Sequence, residues 1–504
     1  MASIHNYPVL SRQSTLAQLP PESTIDAQGQ IAQLLSTTSP SRLVVLDDDP
    51  TGTQTCHDIA VLTVWDIDTL VNEFRQPSGG FFILTNSRAF PASEAEQLIR
   101  TICENVAEAA ARTHQTVDIV LRGDSTLRGH FPLEADVAQS VFGPAAAIIL
   151  APFFFQGGRL TINDVHYVAE GDSLVPAGTT PFARDATFGF DSSNLRDYVM
   201  EKAPGRFRPQ EIHSITIEDI RLGGPEVVCE KIRQIPEGNV VIVNAAAESD
   251  MHVFVAGLLL AKAQTPSAKP YLHRTAASFV STRLSIPTIP PLTASALDLP
   301  HPRTTGGLIL AGSYVPKTTT QLKHLTDRHG PTGTNALAIL TLDVPALLTQ
   351  PTPSSTATAT ANANANTPSI KPAIADLVTQ IQTSLQAGRD TLVMTSRDLV
   401  TGQGDGESLK IGGRVAEALV EVLRRVVARV RPRYIVAKGG ITSSDAATKG
   451  LEIRRAMVVG QAAPGVPIWR CDEPTSRHAG IPFVVFPGNV GGEGTLCELV
   501  EAWR

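Results

Sequence analysis

The sequence predicts an α/β protein of two α/β domains with mostly parallel sheets, and three observations carry that prediction. The chain has 504 residues, more than one hydrophobic core accommodates. Short apolar runs that end abruptly in polar or glycine-containing turns recur along it, with helix-periodic stretches between them, the alternation that builds parallel sheets. A proline-dense stretch without periodicity, 286–302, separates two such series and reads as a linker. The expected divisions are an N-terminal extension over 1–40, a first domain over 41–285, the linker, and a second domain over 303–504.

The extension is rich in Ser, Thr, Gln and Pro, with one short helix expected near Ile25 to Leu35. Leu43-Val44-Val45-Leu46 is the first buried strand, and it delivers Asp47-Asp48-Asp49-Pro50-Thr51-Gly52 to a turn. Phe81 to Leu84 runs in the same way into Thr85-Asn86-Ser87-Arg88. Ile119 to Leu121 runs into Arg122-Gly123-Asp124-Ser125, and Ala147 to Leu150 into Ala151-Pro152. Between the second and third of these, Leu98, Ile102 and Val106 recur at helical spacing within Ser93 to Thr113. Val240 to Val243 adds a later strand.

The second domain opens with Gly307 to Ala311, a strand ending in Gly312-Ser313, followed by a polar helix from about Thr318 to His329. Residues 350–372 contain an Ala/Thr/Asn-rich tract with too few large apolar side chains to fold alone, hence a surface insertion. Asp390 to Thr395 reads as a strand, Ser408 to Val430 as a long amphipathic helix, and Arg433 to Ala437 as a strand feeding Lys438-Gly439-Gly440. Val484-Val485-Phe486 ends in Pro487-Gly488-Asn489, before a closing helix.

Composition narrows the function classes. At 42% hydrophobic and 18% charged residues the chain has the apolar material for packed cores. A net charge of −7 leaves no basic excess to neutralise a phosphate backbone, so nucleic-acid binding is not expected. The five cysteines show no C-x-x-C spacing and are expected to be reduced and buried. The longest apolar stretch, Val253 to Ala263, is too short to span a membrane and contains Lys262. Met1 to Gln30 lacks the basic start and apolar core of a secretory signal, so a cytoplasmic enzyme with small-molecule partners is the expectation.

Parallel sheets bind ligands just past the carboxyl ends of their strands. In the first domain that rim carries Asp48, Asp49, Arg88, Asp124 and Arg128. Three consecutive aspartates repel one another unless a cation, a proton or an arginine compensates; the bland alternative is a solvated turn with a capping aspartate. Arg122 to His130 supplies guanidinium groups, a carboxylate and hydroxyls within nine residues, which suits an anionic, hydroxylated ligand. His130 itself reads as structural. In the second domain Gly439-Gly440-Ile441-Thr442 follows a strand and precedes a helix, so backbone N–H groups can approach phosphate there. Gly312-Ser313 and Gly488-Asn489 stand at equivalent strand ends, which strengthens a nucleotide reading. No G-x-x-x-x-G-K-[ST] occurs, and Gly402 to Gly406 does not match the dinucleotide fingerprint.

Two family resemblances follow from these motifs. Asp47-x-Asp49-x-Thr51 with Leu84-Thr85-Asn86 looks like the first two motifs of haloacid dehalogenase-type phosphatases, but a cationic third motif and a late acidic pair are not found, and no lysine precedes Lys202. From Arg42 to the end, the order and spacing of the motifs resemble the four-carbon acid sugar kinases. The motifs are Asp48-Asp49-Pro50-Thr51-Gly52, Thr85-Asn86-Ser87-Arg88, Asp124-Ser125-Thr126-Leu127-Arg128-Gly129, Gly157-Gly158-Arg159 to Arg184-Asp185, Gly312-Ser313, Lys438 to Ser443, Pro464 to Pro467 and Gly488-Asn489. That resemblance implies an ATP-dependent kinase with Mg²⁺, acting on the terminal hydroxyl of threonate, erythronate or an oxo-tetronate in a cleft between the domains.

It also implies site residues. Asp49, Arg88, Asp124, Ser125, Thr126, Leu127 and Arg128 would bind the acid. Ser313, Lys438, Gly439, Gly440, Ile441, Thr442, Gly488 and Asn489 would cradle ATP, and Asp48 or Asp49 would orient the attacking hydroxyl or hold Mg²⁺. Pro50 replaces the family's aromatic residue, and Phe486-Pro487 replace a Lys-Ser, which shifts cationic assistance toward Lys438. A phosphatase using Asp47 and Asp49 and a non-catalytic sensor of sugar acid and nucleotide are the alternatives; a homo-oligomer is compatible with all three.

Overall fold

A computed structural model of the chain describes residues 7–38, 40–265, 269–312, 315–330, 332, 336–349, 372–396 and 405–504. Ser313, the tract 350–371 and Gly402 to Gly404 lie outside the described residues. The chain forms two units, Met1–Pro290 with Met457–Gly465 and Pro291–Ala456 with Val466–Arg504.

The first unit is built on eight strands: β1 (Arg42–Asp47), β2 (Ile59–Leu62), β3 (Gly80–Leu84), β4 (Val117–Arg122), β5 (Ala147–Ala151), β6 (Ile212–Ile215), β7 (Asn239–Val243) and β8 (Leu272–Thr275). Their spatial order is β6-β7-β5-β8-β4-β1-β3-β2, and every neighbouring pair is parallel. The apolar runs are continuous because helices cover both faces. Val44 and Leu46 of β1, Phe81 and Ile83 of β3, and Ile119 and Leu121 of β4 share one face with Ile99, Ile102 and Val106 of the helix Ala92–Arg112. Truncating Phe81 to alanine there would cost about 3–5 kcal/mol.

Beyond β2, a strand from far along the sequence, Arg455–Ala463, joins the sheet edge, and Asp58 N–H donates to the Val458 carbonyl at 2.7 Å. Contiguous sequence periodicity assigns all of 303–504 to one domain and carries no sign that 457–465 packs with the first unit. A separate antiparallel sheet pairs Leu10–Ser11, Arg159–Ile162, Val165–Glu170 and Ser173–Pro176. The extension is thereby tied down, and its helix Ala27–Thr37 is capped by Asp26, which accepts from Gly29 N–H at 2.9 Å, and buries Ala27 and Ile31.

The second unit contains β9 (Leu308–Ala311), β10 (Ala338–Leu342), β11 (Thr391–Thr395), β12 (Ile435–Lys438), β13 (Val466–Cys471) and β14 (Pro482–Phe486). Their order is β13-β14-β12-β9-β11-β10. Only the β13–β14 pair is antiparallel. Within this unit the proline-rich stretch has no helix or strand. It is fastened by Trp503 Nε1 on the Leu292 carbonyl at 2.9 Å and Arg470 Nη2 on the Leu297 carbonyl at 3.0 Å.

The two units share a winding pattern. In each, the first strand is flanked by the third on one side and the fourth on the other, giving β4-β1-β3-β2 and β12-β9-β11-β10. The chain leaves the first strand toward one edge and returns on its other side, so a topological switch point lies between β1 and β4 and another between β9 and β12. All five cysteines are buried and free. Among the described residues no helix is long and apolar enough to cross a membrane.

Candidate active site

At the first switch point the strand register sets the chemistry. Asp47, the last residue of β1, pairs in register with Arg122, the last of β4. Arg122 Nη1 lies 3.2 Å from Asp47 Oδ1 and 3.3 Å from Asp48 Oδ1. From the turn Ser87–Ala89 after β3, Arg88 donates Nη2 to Asp49 Oδ2 at 2.5 Å, and its Nη1 lies 3.6 Å from Asp124 Oδ2 and 4.0 Å from Asp48 Oδ2. Arg128 Nε donates to Asp124 Oδ2 at 2.6 Å. The expected arginine compensation of the aspartate run is therefore present twice. Asp49 also accepts from Thr51 N–H at 2.8 Å, so it caps the short turn Pro50–Thr53 as the bland alternative supposes. Gly52 has no substitute here, because a β-carbon would stand 2.2 Å from both Asp47 carboxylate oxygens.

These carboxyls differ in protonation. Burial pushes the Asp47 carboxyl well above the ordinary range, Arg122 offsets this only in part, and the Asp48 and Asp49 charges add to the rise. Burial also works upward on Asp49, but Arg88, Arg122 and the Thr51 hydrogen bonds outweigh it and hold Asp49 low. At Asp124 the same contest against burial is won by Arg128 and Arg88, and its carboxyl stays well below the usual range. Asp47 Oδ2 and Asp48 Oδ2 are buried without a hydrogen-bond partner. Buried carboxylate oxygens seldom stay unpaired, so these are acceptors available to a cation, a proton or a ligand hydroxyl.

Asp48, Asp49, Arg88, Asp124 and Arg128 thus come together in one network. The neighbouring positions contribute otherwise. The Ser125 carbonyl takes a hydrogen bond from His166 Nε2 at 2.8 Å, and burial pushes that imidazole down to about 4, leaving it neutral. Thr126 is fully buried and donates its hydroxyl to Asp124 Oδ2. Leu127 has φ +70° and packs its side chain with Phe131, Leu150 and Tyr198, so its main chain is what it offers a ligand; its carbonyl accepts from the Tyr198 hydroxyl at 2.8 Å. His130 Nε2 contacts the Ser87 and Phe90 carbonyls at 3.2 and 3.0 Å, a structural role. Arg274 and Glu134 also belong to this network; they are distant in sequence and carry no local motif.

At the second switch point glycines dominate. Gly439 has φ +110°, a conformation costly to any residue with a β-carbon, and its N–H donates to the Phe486 carbonyl at 2.8 Å. Gly440 opens the six-residue helix Gly440–Asp445, whose Ser443 hydroxyl donates to the Ala437 carbonyl at 2.8 Å. Ile441 is 66% exposed. Thr442 is half-buried, and its Oγ1 would lie 2.9 Å from a β-carbon on Gly312, which brings the ends of β9 and β12 together. The Gly488 carbonyl accepts from Thr318 Oγ1 at 3.4 Å, and Gln321 Nε2 donates to the Val490 and Gly492 carbonyls at 3.1 and 2.8 Å; Asn489 is half-buried.

Lys438 is fully buried at the end of β12. Its Nζ donates to the Pro487 carbonyl at 2.5 Å and sits 3.9 Å from the Phe486 ring centroid. It thus leans on the two residues that depart from the family pattern. Burial first, then the Lys317 charge, push the amine down to about 7.

Among the described residues one trio, His329, Cys497 and Glu501, brings metal-ligand atoms within 4.8 Å of one another. Guanidinium groups already contact two of them, Arg504 Nη1 on His329 Nδ1 at 2.9 Å and Arg328 Nε on Glu501 Oε1 at 3.3 Å, which disfavours a cation there.

Fold and sites together define a two-domain α/β protein with an acid–arginine site in one unit and a glycine-turn site in the other. Comparison with known proteins assigns both halves. The Sugar-binding N-terminal domain profile matches residues 43–283, and the Nucleotide-binding C-terminal domain profile matches residues 308–496. The chain belongs to the DUF1537 family of four-carbon acid sugar kinases. Among solved structures it is similar to protein HI1011 of Haemophilus influenzae, with 16% identity, coverage of 92% of this chain and 100% of the other, and a TM-score of 0.56. It is also similar to a candidate tRNA synthase from Salmonella typhimurium LT2, with 14% identity, coverage of 92% and 99%, and a TM-score of 0.60. No curated protein matches. Family membership displaces the dehalogenase-type reading.

Proposed function

We propose that the protein is an ATP-dependent kinase that phosphorylates the terminal hydroxyl of a four-carbon sugar acid, a threonate, an erythronate or an oxo-tetronate. The observation that carries this reading is the pair of carboxylate oxygens on Asp47 and Asp48 that lack a hydrogen-bond partner, beside Arg88, Arg122 and Arg128, in a domain of the sugar-binding type. Arg88 and Arg128 would meet the substrate carboxylate, exchanging their present aspartate contacts for it. Asp48 would take the hydrogen bond of the acceptor hydroxyl, and Asp49 would hold Arg88 in place. In phosphoryl transfer such orientation, with charge neutralisation, does most of what a protein can do. Gly439 to Thr442 and Gly488-Asn489 would present backbone N–H groups and hydroxyls to the ATP phosphates. Mg²⁺ would neutralise phosphate charge, and the unpaired oxygens of Asp47 and Asp48 fit a hard cation.

The test is ATP consumption with Mg²⁺ across threonates, erythronates and their oxo derivatives, with sugar phosphates run alongside for phosphate release. ADP formation that depends on one of the acids is the expected outcome. Binding of acid and nucleotide without turnover would leave a sensor in its place.

A further inference from the structure

We infer that Arg274 is a positioning residue of the acid-binding site, holding together the two loops that present Arg88 and Arg128. Its kinetic consequences rest on the sugar-acid reading above; its structural consequences do not.

Arg274 stands on β8 beside β4, where its neighbour Thr275 pairs in register with Arg122. Its side chain is buried and occupies the space that a β-carbon would take at two glycines of the loop after β4. A β-carbon on Gly123 would lie 1.9 Å from Nη1, and one on Gly129, at φ +125°, would lie 2.6 Å from Nη2. Nη2 donates to the Arg128 carbonyl at 3.3 Å. On the other side Nη1 lies 3.5 Å from Glu134 Oε2, and Glu134 Oε1 accepts from the Ser87 hydroxyl at 2.6 Å. Ser87 is the residue before Arg88.

A continuous path therefore runs from the Arg128 main chain through the Arg274 guanidinium and the Glu134 carboxylate to the turn that carries Arg88. Burial pushes the Glu134 carboxyl up, and Arg274 is the main influence opposing that rise. A buried ion pair is weak evidence of stabilisation; its best-supported use is to select one arrangement of the chain. Here the arrangement selected is the spacing of two arginines on different loops. Arg274 acts through the loops.

Hydrogen exchange of backbone amides in 85–90 and 123–130 tests this directly in the full chain, comparing wild type with Arg274→Met and Arg274→Lys. Exchange in both segments should accelerate about tenfold or more in Arg274→Met, while amides of 435–445 keep their rate. KM for whichever sugar acid the wild type turns over should rise about tenfold with KM for ATP unchanged, the split expected when one substrate's binding geometry is lost. Arg274→Lys keeps the charge opposite Glu134 but loses the second nitrogen, and should fall between. If Arg274→Met folds poorly because Glu134 is left uncompensated, the double variant Arg274→Met/Glu134→Gln removes that ionisable group and should show the same loosened loops. Unchanged exchange in folded variants overturns the inference whether or not a sugar acid is the substrate. Faster exchange with an unchanged KM overturns it too and leaves Arg274 a fold residue. Absence of any turnover in wild type would sink the kinase reading instead, with the exchange result still deciding for Arg274.

Discussion

The two switch points share one strand order and differ in everything placed on it. Between β1 and β4 the residues just past the strands are Asp47, Asp48, Asp49, Arg122 and Asp124, with Arg88 brought in from β3, and buried charge is balanced by forked arginine contacts. Between β9 and β12 they are Gly312, Gly439 and Gly440, with hydroxyls and a single buried lysine whose partner is a carbonyl. Topology supplies a switch point in each unit; the side chains past the strand ends set its chemistry. On the function proposed above, the charged crevice would recognise its ligand through side chains and the glycine crevice would meet phosphate through its main chain. Substitutions should therefore act differently in the two places, through chemistry in the first and through backbone conformation in the second.

The largest effect should come from the first. Asp48→Asn keeps the shape but removes the charge of the unpaired carboxylate, and should lower kcat by about 10²–10⁴-fold with the melting temperature maintained or raised; retained turnover in a steady-state assay would move the role to Asp49. Next, Gly439→Ala should cost about 1–2 kcal/mol locally, because φ +110° is strained for alanine, and weaken ATP binding about tenfold while leaving sugar-acid binding alone, as titration calorimetry would read. Equal loss of both ligands would break the separation of roles.

A third effect is a pH dependence whose sign differs from group to group, with Asp47 opposed to the others. Lys438 has a folded value of about 7, below its ordinary 10.5, so its contribution to stability is full above about 10.5 and is lost as pH falls through about 7. Lys438→Met should flatten the melting temperature of the second unit between those limits. Asp49 and Asp124, held low, contribute stability above the ordinary carboxylate range that is lost only as pH falls below it. Asp47, held high, contributes in the other direction: its favourable term is present in acid and is lost as pH rises through its raised value. The smallest effect should be that of Lys317→Ala, which removes a secondary cause of the Lys438 shift and should move its titration slightly upward, measurable by NMR.

Much of the fold was legible because the strands are buried on both faces and so read as unbroken apolar runs. Leu43 to Leu46 and Phe81 to Leu84 lie within β1 and β3 for that reason. The acid–arginine site was legible at Asp48, Asp49, Arg88, Asp124 and Arg128, since three adjacent aspartates demand compensation and the motif after β4 contains the means. Arg122 stood in that motif without distinction, and only its register with Asp47 marks it out. Lys438 reads from its motif as a phosphate contact, but its position against Phe486 and Pro487 comes from the pairing of β12 with β14.

What the sequence determined by itself was local: periodicity, turn-forming glycines such as Gly439, the accumulation of like charge at Asp47 to Asp49, and the order of motifs that marks the family. What only the tertiary structure decided was which distant residues share a neighbourhood. Strand order placed Arg274 against Gly123 and Gly129, joined 457–465 to the first unit, and left one oxygen each of Asp47 and Asp48 without a hydrogen bond. The physical reason is that hydrophobic periodicity shows which face of a strand is buried but not which strand lies beside it. Register and crossover settle that, and with it which charges end up within reach of one another.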